Sequence, residues 1–243
     1  MLKALLIGIN YVDTPYKLNG CHNDVYSWKE YLAGKGYQSL TIMTDESKYR
    51  GTPYFPTSSN ILTQLNAWLK ASTKGDRLIL TFSGHGGSLP DWSRDERDGK
   101  DEFLFGCDLS PIVDDTLNLV VRGLPEGVSL RVVLDCCHSG SGLDLPFRYS
   151  SILSITENSQ PLSRDILCIS GCKDEQTSAD AYIRYRFQGA LTYTLLETLK
   201  TTRNSTWKAL IQLVDDRVKS SGYAQIPQLS YCSAGQPDKP VDI

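Results

Sequence analysis

Histidine is scarce in this 243-residue chain: only His22, His85 and His138 are present. Any imidazole chemistry must draw on one of those three positions. Long apolar runs are lacking too. No stretch approaches the ~20 residues that a membrane-spanning helix needs, so no membrane partner is expected. Nor is there an excess of positive charge. The formal net charge is −3, which leaves no basic field to hold nucleic acid. The chain has no HExxH, no paired CxxC set, and no GxGxxG spacing around Gly8-Ile9-Asn10. Zinc-peptidase, zinc-ribbon and dinucleotide-binding readings fall away with them. The opening run Leu2–Ile9 is too short and too lightly charged for a secretory signal. No internal repeat or low-complexity tract is evident.

The seven cysteines are Cys21, Cys107, Cys136, Cys137, Cys168, Cys172 and Cys232. Their number is odd and several lie in strand-like segments, which suits a reducing, cytoplasmic setting better than a disulfide framework. Cys168 and Cys172 are close in sequence, but Cys168 sits inside the apolar run Ile166–Ile169. A buried thiol is the simpler reading than a metal ligand.

With 40% hydrophobic and 22% charged residues, the composition is that of an ordinary globular domain. Strand-like and helix-like segments alternate. Lys3–Ile9, Leu40–Met43, Arg77–Phe82, Leu130–Leu134, Asp165–Ser170 and Gln228–Cys232 read as six strands. Asn23–Ala33 reads as a helix with Val25, Trp28, Tyr31 and Leu32 on one face. A second helix carries Ile61, Leu62, Leu65, Trp68 and Leu69, with Ser59 as its cap. Asp114 or Asp115 would cap a short helix through Val121, and Ala190–Leu199 and Trp207–Val218 are amphipathic. Phe103–Cys107 is a weak strand or hairpin, and Pro146–Pro161 reads as a loop. The expectation is an α/β fold: a mostly parallel six-stranded sheet with helices on both faces. The direction of the last strand is left open, because two helices precede it.

Two short segments carry the chemistry. Phe82-Ser83-Gly84-His85-Gly86-Gly87 and Leu134-Asp135-Cys136-Cys137-His138-Ser139-Gly140 each follow a strand. In open α/β sheets, sites form at the carboxyl ends of strands. A thiol there needs only a nearby base to become a nucleophile. His85 is the best base, since His138 adjoins Cys137 and His22 suits a cap or a solvent contact. A histidine in a surface turn is the alternative. Cys136 and Cys137 are rival nucleophiles, and alternation puts them on opposite faces. Asp24 and Asp135 both fall near strand ends. As a pair they would attract a cation and reject an acid; alone, Asp24 would suit helix capping. The acidic residues from Asp91 to Asp144 could hold a hard cation or simply be solvated.

Gly8-Ile9-Asn10, Asn19-Gly20-Cys21-His22-Asn23-Asp24, Ser83-Gly84-His85-Gly86, Asp135-Cys136-Cys137-His138-Ser139-Gly140 and Ser170-Gly171-Cys172-Lys173-Asp174-Glu175-Gln176-Thr177-Ser178-Ala179-Asp180 occur in that order. Together they resemble the metacaspases and their bacterial relatives, the orthocaspases, over nearly the whole chain. The Gln-Ala-Cys signature of true caspases is absent. The resemblance implies a caspase-like fold over 1–243, with a His/Cys-bearing part at 1–147, a mobile loop at 148–164 and a smaller part at 165–243. It implies a cysteine endopeptidase in which Cys137 is the nucleophile, His85 the acid–base, and backbone N–H groups near Gly86 and Cys137 the oxyanion donors. Asp24 and Asp135 would form the pocket for Arg or Lys, lined by Cys21 and Ser83. Asp98, Asp114, Asp115 and Asp144 match the aspartates that hold an activating Ca²⁺ in many members. Self-cleavage would fall at Arg148 or Arg164. The partners implied are peptides or proteins with Arg or Lys before the cut. The chain is expected to be a minimal catalytic domain and a monomer.

Two other functions compete with this one. A catalytically silent caspase-like scaffold would usually have lost His85 or Cys137. A Cys–His hydrolase acting on other acyl groups would have no use for the paired carboxylates.

Overall fold

The computed structural model describes residues 1–90, 100–136, 143–150, 154–156, 162–172, 180–183, 186–223 and 225–243. Cys137 and Asp98 lie outside them. Along the chain the elements are β1 (Leu2–Gly8), α1 (Cys21–Gly34), β2 (Ser39–Thr44), α2 (Ser58–Lys70), β3 (Arg77–Ser83), β4 (Gly86–Pro90), β5 (Lys100–Phe105) and β6 (Pro111–Val113). There follow α3 (Asp114–Arg122), β7 (Ser129–Asp135), β8 (Phe147–Ser150), β9 (Ser154–Thr156) and β10 (Asp165–Cys172). The last are β11 (Asp180–Ile183), β12 (Arg186–Gly189), α4 (Ala190–Thr201), α5 (Trp207–Ser220) and β13 (Ile226–Tyr231).

The main sheet runs β2-β1-β3-β7-β10-β13-β8-β9. Neighbours from β2 to β10 are parallel, and β13, β8 and β9 pair antiparallel. The six strands expected from sequence are adjacent and in this sheet. Two more extend it to eight, because the segment 148–164, expected as a loop, contributes β9 and most of β8. Its Ser-rich composition hid them. Pro227 lies inside β13, opposite Gly171 of β10. The described pairing with β8 starts only at Gln228, so the proline, which lacks an N–H, sits where one side carries no ladder.

Alternation along the parallel strands builds two cores. Ala4, Leu6, Ile79, Val133, Leu167 and Ile169 face α1, α4 and α5. Leu5, Ile7, Leu80, Phe82, Val132, Leu134 and Cys168 face α2 and α3. Helices thus cover both faces, as a parallel sheet requires.

Helix starts differ from expectation in ways that matter for the site. α1 begins at Cys21 with Gly20 as N-cap and no side-chain cap bond, so Asp24 is not a cap. α2 is capped by Thr57, whose hydroxyl accepts from Asn60 N at 3.2 Å, rather than by Ser59. α3 has Val113 as its N-cap, so neither Asp114 nor Asp115 holds that position. Strands β4, β5 and β6 form a second small sheet in the order β4-β5-β6.

Candidate active site

Parallel register gathers the functional segments. Gly8, Ser83 and Asp135 are direct neighbours across the ends of β1, β3 and β7. The segments that leave these three strands therefore emerge on one edge of the sheet. Gly8 is a close-approach position: a Cβ there would lie 2.4 Å from Cys21 O and 2.5 Å from a Val25 methyl. The first turn of α1 rests directly on β1, which carries Asp24 over the strand ends.

Asp24 and Asp135 are both buried, at 1% and 2% exposure. Ser83 Oγ donates to Asp24 Oδ2 at 2.5 Å, and Gly189 N donates to Asp24 Oδ1 at 2.9 Å and Oδ2 at 3.1 Å. Thr192 N donates to Asp135 Oδ2 at 2.8 Å. The two carboxylates thus meet at the start of α4, whose own N-cap, Gly189, makes no side-chain cap bond. The backbone N–H groups that a helix leaves open at its N-terminus are met here by carboxylates from elsewhere. A Cβ on Gly189 would sit 2.1 Å from Asp135 Oδ2 and 2.9 Å from Asp24 Oδ2. Only glycine fits between them. Asp135 Oδ1 is buried with no hydrogen-bond partner among the described residues. Burial pushes the Asp135 carboxyl above its ordinary pKa, against the lowering effect of Thr192 and Gln225. Cys21 and Ser83 are close at hand: Cys21 opens α1, and its N donates to Asn10 Oδ1 at 3.0 Å.

His85 is half-buried just past β3. Its Nε2 lies 2.7 Å from the Tyr16 carbonyl oxygen. A carbonyl can only accept, so Nε2 carries a proton in this contact and Nδ1 is the nitrogen left for acid–base chemistry. His85 N donates to the Tyr11 hydroxyl at 2.8 Å, which donates to Phe105 O at 2.9 Å. The two rings are 4.6 Å apart. Burial raises the Tyr11 phenol well above its usual pKa, so it remains a neutral donor. Tyr11 and Tyr16 have no motif of their own, and sequence reasoning missed both. It missed Gly189 and Thr192 for the same reason. Gly86 opens β4 opposite Leu104.

Cys136 is 1% exposed and lies in the core beneath α2 and α3, on the sheet face opposite to Asp135. His22 is held by Asp45, just past the end of β2, with Nε2 2.6 Å from Oδ1. Asp45 also accepts from Asn10 N at 2.8 Å, so this pair secures the loop between β1 and α1.

Carboxylate oxygens are suitable ligands for calcium. Asp114, however, uses its oxygens on Glu102 N at 2.8 Å and Asp115 N at 2.9 Å, and Asp115 is exposed. Asn118, one turn on, donates to the carbonyls of Leu143 and Asp144 at 2.5 and 3.1 Å, tying the Asp144 segment to α3. Among the described residues no group of three or more His, Cys, Asp or Glu is placed to share a metal ion. With Asp98 outside them, the described residues do not by themselves make a calcium site. Arg148 lies within β8, opposite Ser230 of β13 and Ile155 of β9. Arg164 is half-buried just before β10 and donates to Ser163 O at 3.1 Å.

A family model, the metacaspase peptidase C14 domain, matches residues 2–146. The chain belongs to the metacaspase family. Membership makes this metacaspase a cysteine-type peptidase, a hydrolase acting on proteins. It is 32% identical to Metacaspase-1 of Meyerozyma guilliermondii, over 94% of this chain and 68% of that protein. Metacaspase-1B of Aspergillus fumigatus is 33% identical, over 99% and 70%. Metacaspase-1 of Cryptococcus neoformans is 33% identical over 94% of this chain but only 62% of its own length. Among solved structures, a Geobacter sulfurreducens protein superposes with a TM-score of 0.69 at 25% identity, covering 98% and 97% of the two chains. Caspase-1 from Spodoptera frugiperda gives 0.64 at 12% identity, covering 95% of this metacaspase and 86% of that chain. The last match carries the fold alone, and that fold is caspase-like.

Proposed function

We propose that this metacaspase cleaves peptide bonds after Arg or Lys, using Cys137 and His85. One observation carries the specificity: two buried carboxylates meet at Gly189, and Asp135 keeps an oxygen without a partner among the described residues. A guanidinium or ammonium supplies the missing counter-charge and donors. An acidic side chain would add a third negative group, which the pocket rejects.

The choice of nucleophile follows from burial. Cys136 points away from Asp135 into the core, so a substrate anchored at Asp135 cannot meet its thiol. Cys137, the next residue, is left. Its thiolate attacks the carbonyl carbon after the bound Arg or Lys, and the oxygen takes the negative charge. Backbone N–H groups of Gly86 and Cys137 are the proposed donors to that oxygen. The His85 imidazolium protonates the leaving amine as the C–N bond breaks, which leaves a thioester. His85 then takes a proton from water, the hydroxyl adds to the thioester, and the thiolate departs. The Tyr16 carbonyl holds the ring through Nε2 throughout, as an orienting third group.

Calcium activation through Asp98, Asp114, Asp115 and Asp144 is also proposed. The ion would supply positive charge that fixes the acidic segments around α3. Self-cleavage is proposed at Arg164 rather than Arg148, whose flanking bonds are in paired strand. A monomer is supported by β8 and β9, which cover the free edge of β13. A cytoplasmic setting is supported by Cys107, Cys168 and Cys232, which are thiols rather than disulfides.

The test is hydrolysis of paired fluorogenic peptides ending in Arg or Asp, with millimolar calcium or with chelator, by wild type and Cys137→Ala. Arg-selective cleavage that needs Cys137 and calcium is expected. Arg cleavage in chelator would remove the calcium assignment. Asp cleavage would overturn the pocket, and no cleavage would favour a silent scaffold.

A further inference from the structure

Strands β11 and β12 form a hairpin outside both sheets, with Tyr182 opposite Phe187 and Asp180 opposite Gly189. Its two aromatics are both exposed, Tyr182 at 63% and Phe187 at 39%, and unlike the exposed Tyr16 and Tyr54 they stand side by side. Their rings lie 5.1 Å apart. An exposed aromatic pair on a small hairpin needs a reason. The hairpin is firmly placed. Asn23 Nδ2 donates to Phe187 O at 2.8 Å, Arg186 Nη2 to Ser27 Oγ at 3.1 Å, and Gly189 N to Asp24. It therefore lies along the first turns of α1, with its end in the carboxylate pocket.

The pleat decides which way each residue faces. Phe187 and Gly189 are two apart, so their Cβ directions share one face of β12. The Cβ direction of Gly189 points at Asp24 and Asp135. Gln188, between them, is buried on the other face. The aromatic pair thus stands on the face that looks onto the pocket, about 7 Å along the strand from Gly189. An extended peptide has the same two-residue repeat. With its Arg or Lys side chain on the carboxylates, the side chain two residues away falls at the same spacing. Direction follows from the chemistry. Asp24 lies between Ser83, two residues before His85, and Gly189 of the hairpin. His85 must reach the leaving amine, so the departing half runs toward β3 and the acyl half toward the hairpin.

We infer that Tyr182 and Phe187 form an apolar subsite for the substrate side chain two residues before the Arg or Lys at which cleavage occurs. This rests on the proposed carboxylate pocket. It makes the preferred substrate a segment with an aliphatic or aromatic residue, any residue, then Arg or Lys.

The test uses the full chain with calcium and acylated X-Gly-Arg coumarin peptides in which X is Leu, Gly or Asp, beside Leu-Gly-Asp. Wild type should favour Leu over Gly at X by about 10-fold or more in kcat/KM, mainly through KM, as expected for a pocket that reads methylenes. In Tyr182→Ser/Phe187→Ser the ratio should fall toward one, and Phe187→Leu, which keeps apolar surface, should retain much of it. Thermal melts check that each variant folds. A wild-type Leu-to-Gly ratio near one with Arg-over-Asp selectivity intact overturns the subsite and leaves the pocket standing. A ratio that survives the double substitution overturns it as well. Absence of Arg-over-Asp selectivity overturns the pocket reading and takes the subsite with it.

Discussion

Strand β7 carries two buried charges four residues apart, and they are treated in opposite ways. Arg131 is enclosed by acceptors: Asp242 takes Nε at 2.8 Å and Nη2 at 2.7 Å, and Asp165 takes Nη1 at 3.0 Å and Nη2 at 3.1 Å. Burial works against its charge, and the two carboxylates more than offset it. Asp135, at the end of the same strand, has a helix N–H on one oxygen and no described partner on the other. A charge that is fully paired at home serves the fold, as Arg131 does in pinning β10 and the C-terminal Asp242 to β7. A charge left short of partners costs stability and is kept for what binds to it.

Removing either charge should therefore separate stability from activity. Arg131→Leu removes four charge-assisted hydrogen bonds and should cost about 2–4 kcal/mol of unfolding free energy, less than the full penalty for an orphaned buried charge because water reaches both carboxylates. Urea denaturation measures it, and the material that remains folded should keep its Arg selectivity. Asp135→Asn should do the reverse. Loss of a buried charge partner for the substrate is worth about 2–5 kcal/mol in kcat/KM toward Arg peptides, while the melting temperature at pH 8 should hold or rise. A large drop in melting temperature would mean that Asp135 is structural like Arg131.

The smallest effect sharpens the same contrast through pH. The Asp135 pKa is raised in the fold. Its neutral form therefore favours folding, and that contribution is present at low pH and lost as pH rises through the raised value. Cation binding has the opposite sign, since only the ionised carboxyl attracts Arg. kcat/KM should climb as pH passes through the raised pKa. The informative quantity is the difference between wild type and Asp135→Asn, which should shrink as pH falls. A difference that is flat with pH would sink the assignment.

Much of the fold is readable in the sequence because it depends on local pattern. The six principal strands are runs of alternating or continuous apolar residues, and both His85 and Asp135 lie directly after or at the end of one. The hidden features depend on backbone groups or on distant partners. Tyr16 acts on His85 through a carbonyl that every residue possesses. Gly189 matters because two aspartates from separate strand–helix units close on it. β8 and β9 pair through their backbones on the edge of a sheet, in a stretch whose Ser and Pro content resembles a loop. Asp24 has the chemistry of a helix cap, but α1 starts at Cys21 and removes that role.

β10 and β13 come from the last third of the chain, yet they are clasped between β7 and β8, which both precede Asp165. A cut at Arg164 would change which residues share a chain without freeing either piece. The two fragments would be threaded through one another's hydrogen-bond ladders, and only melting the sheet would release them.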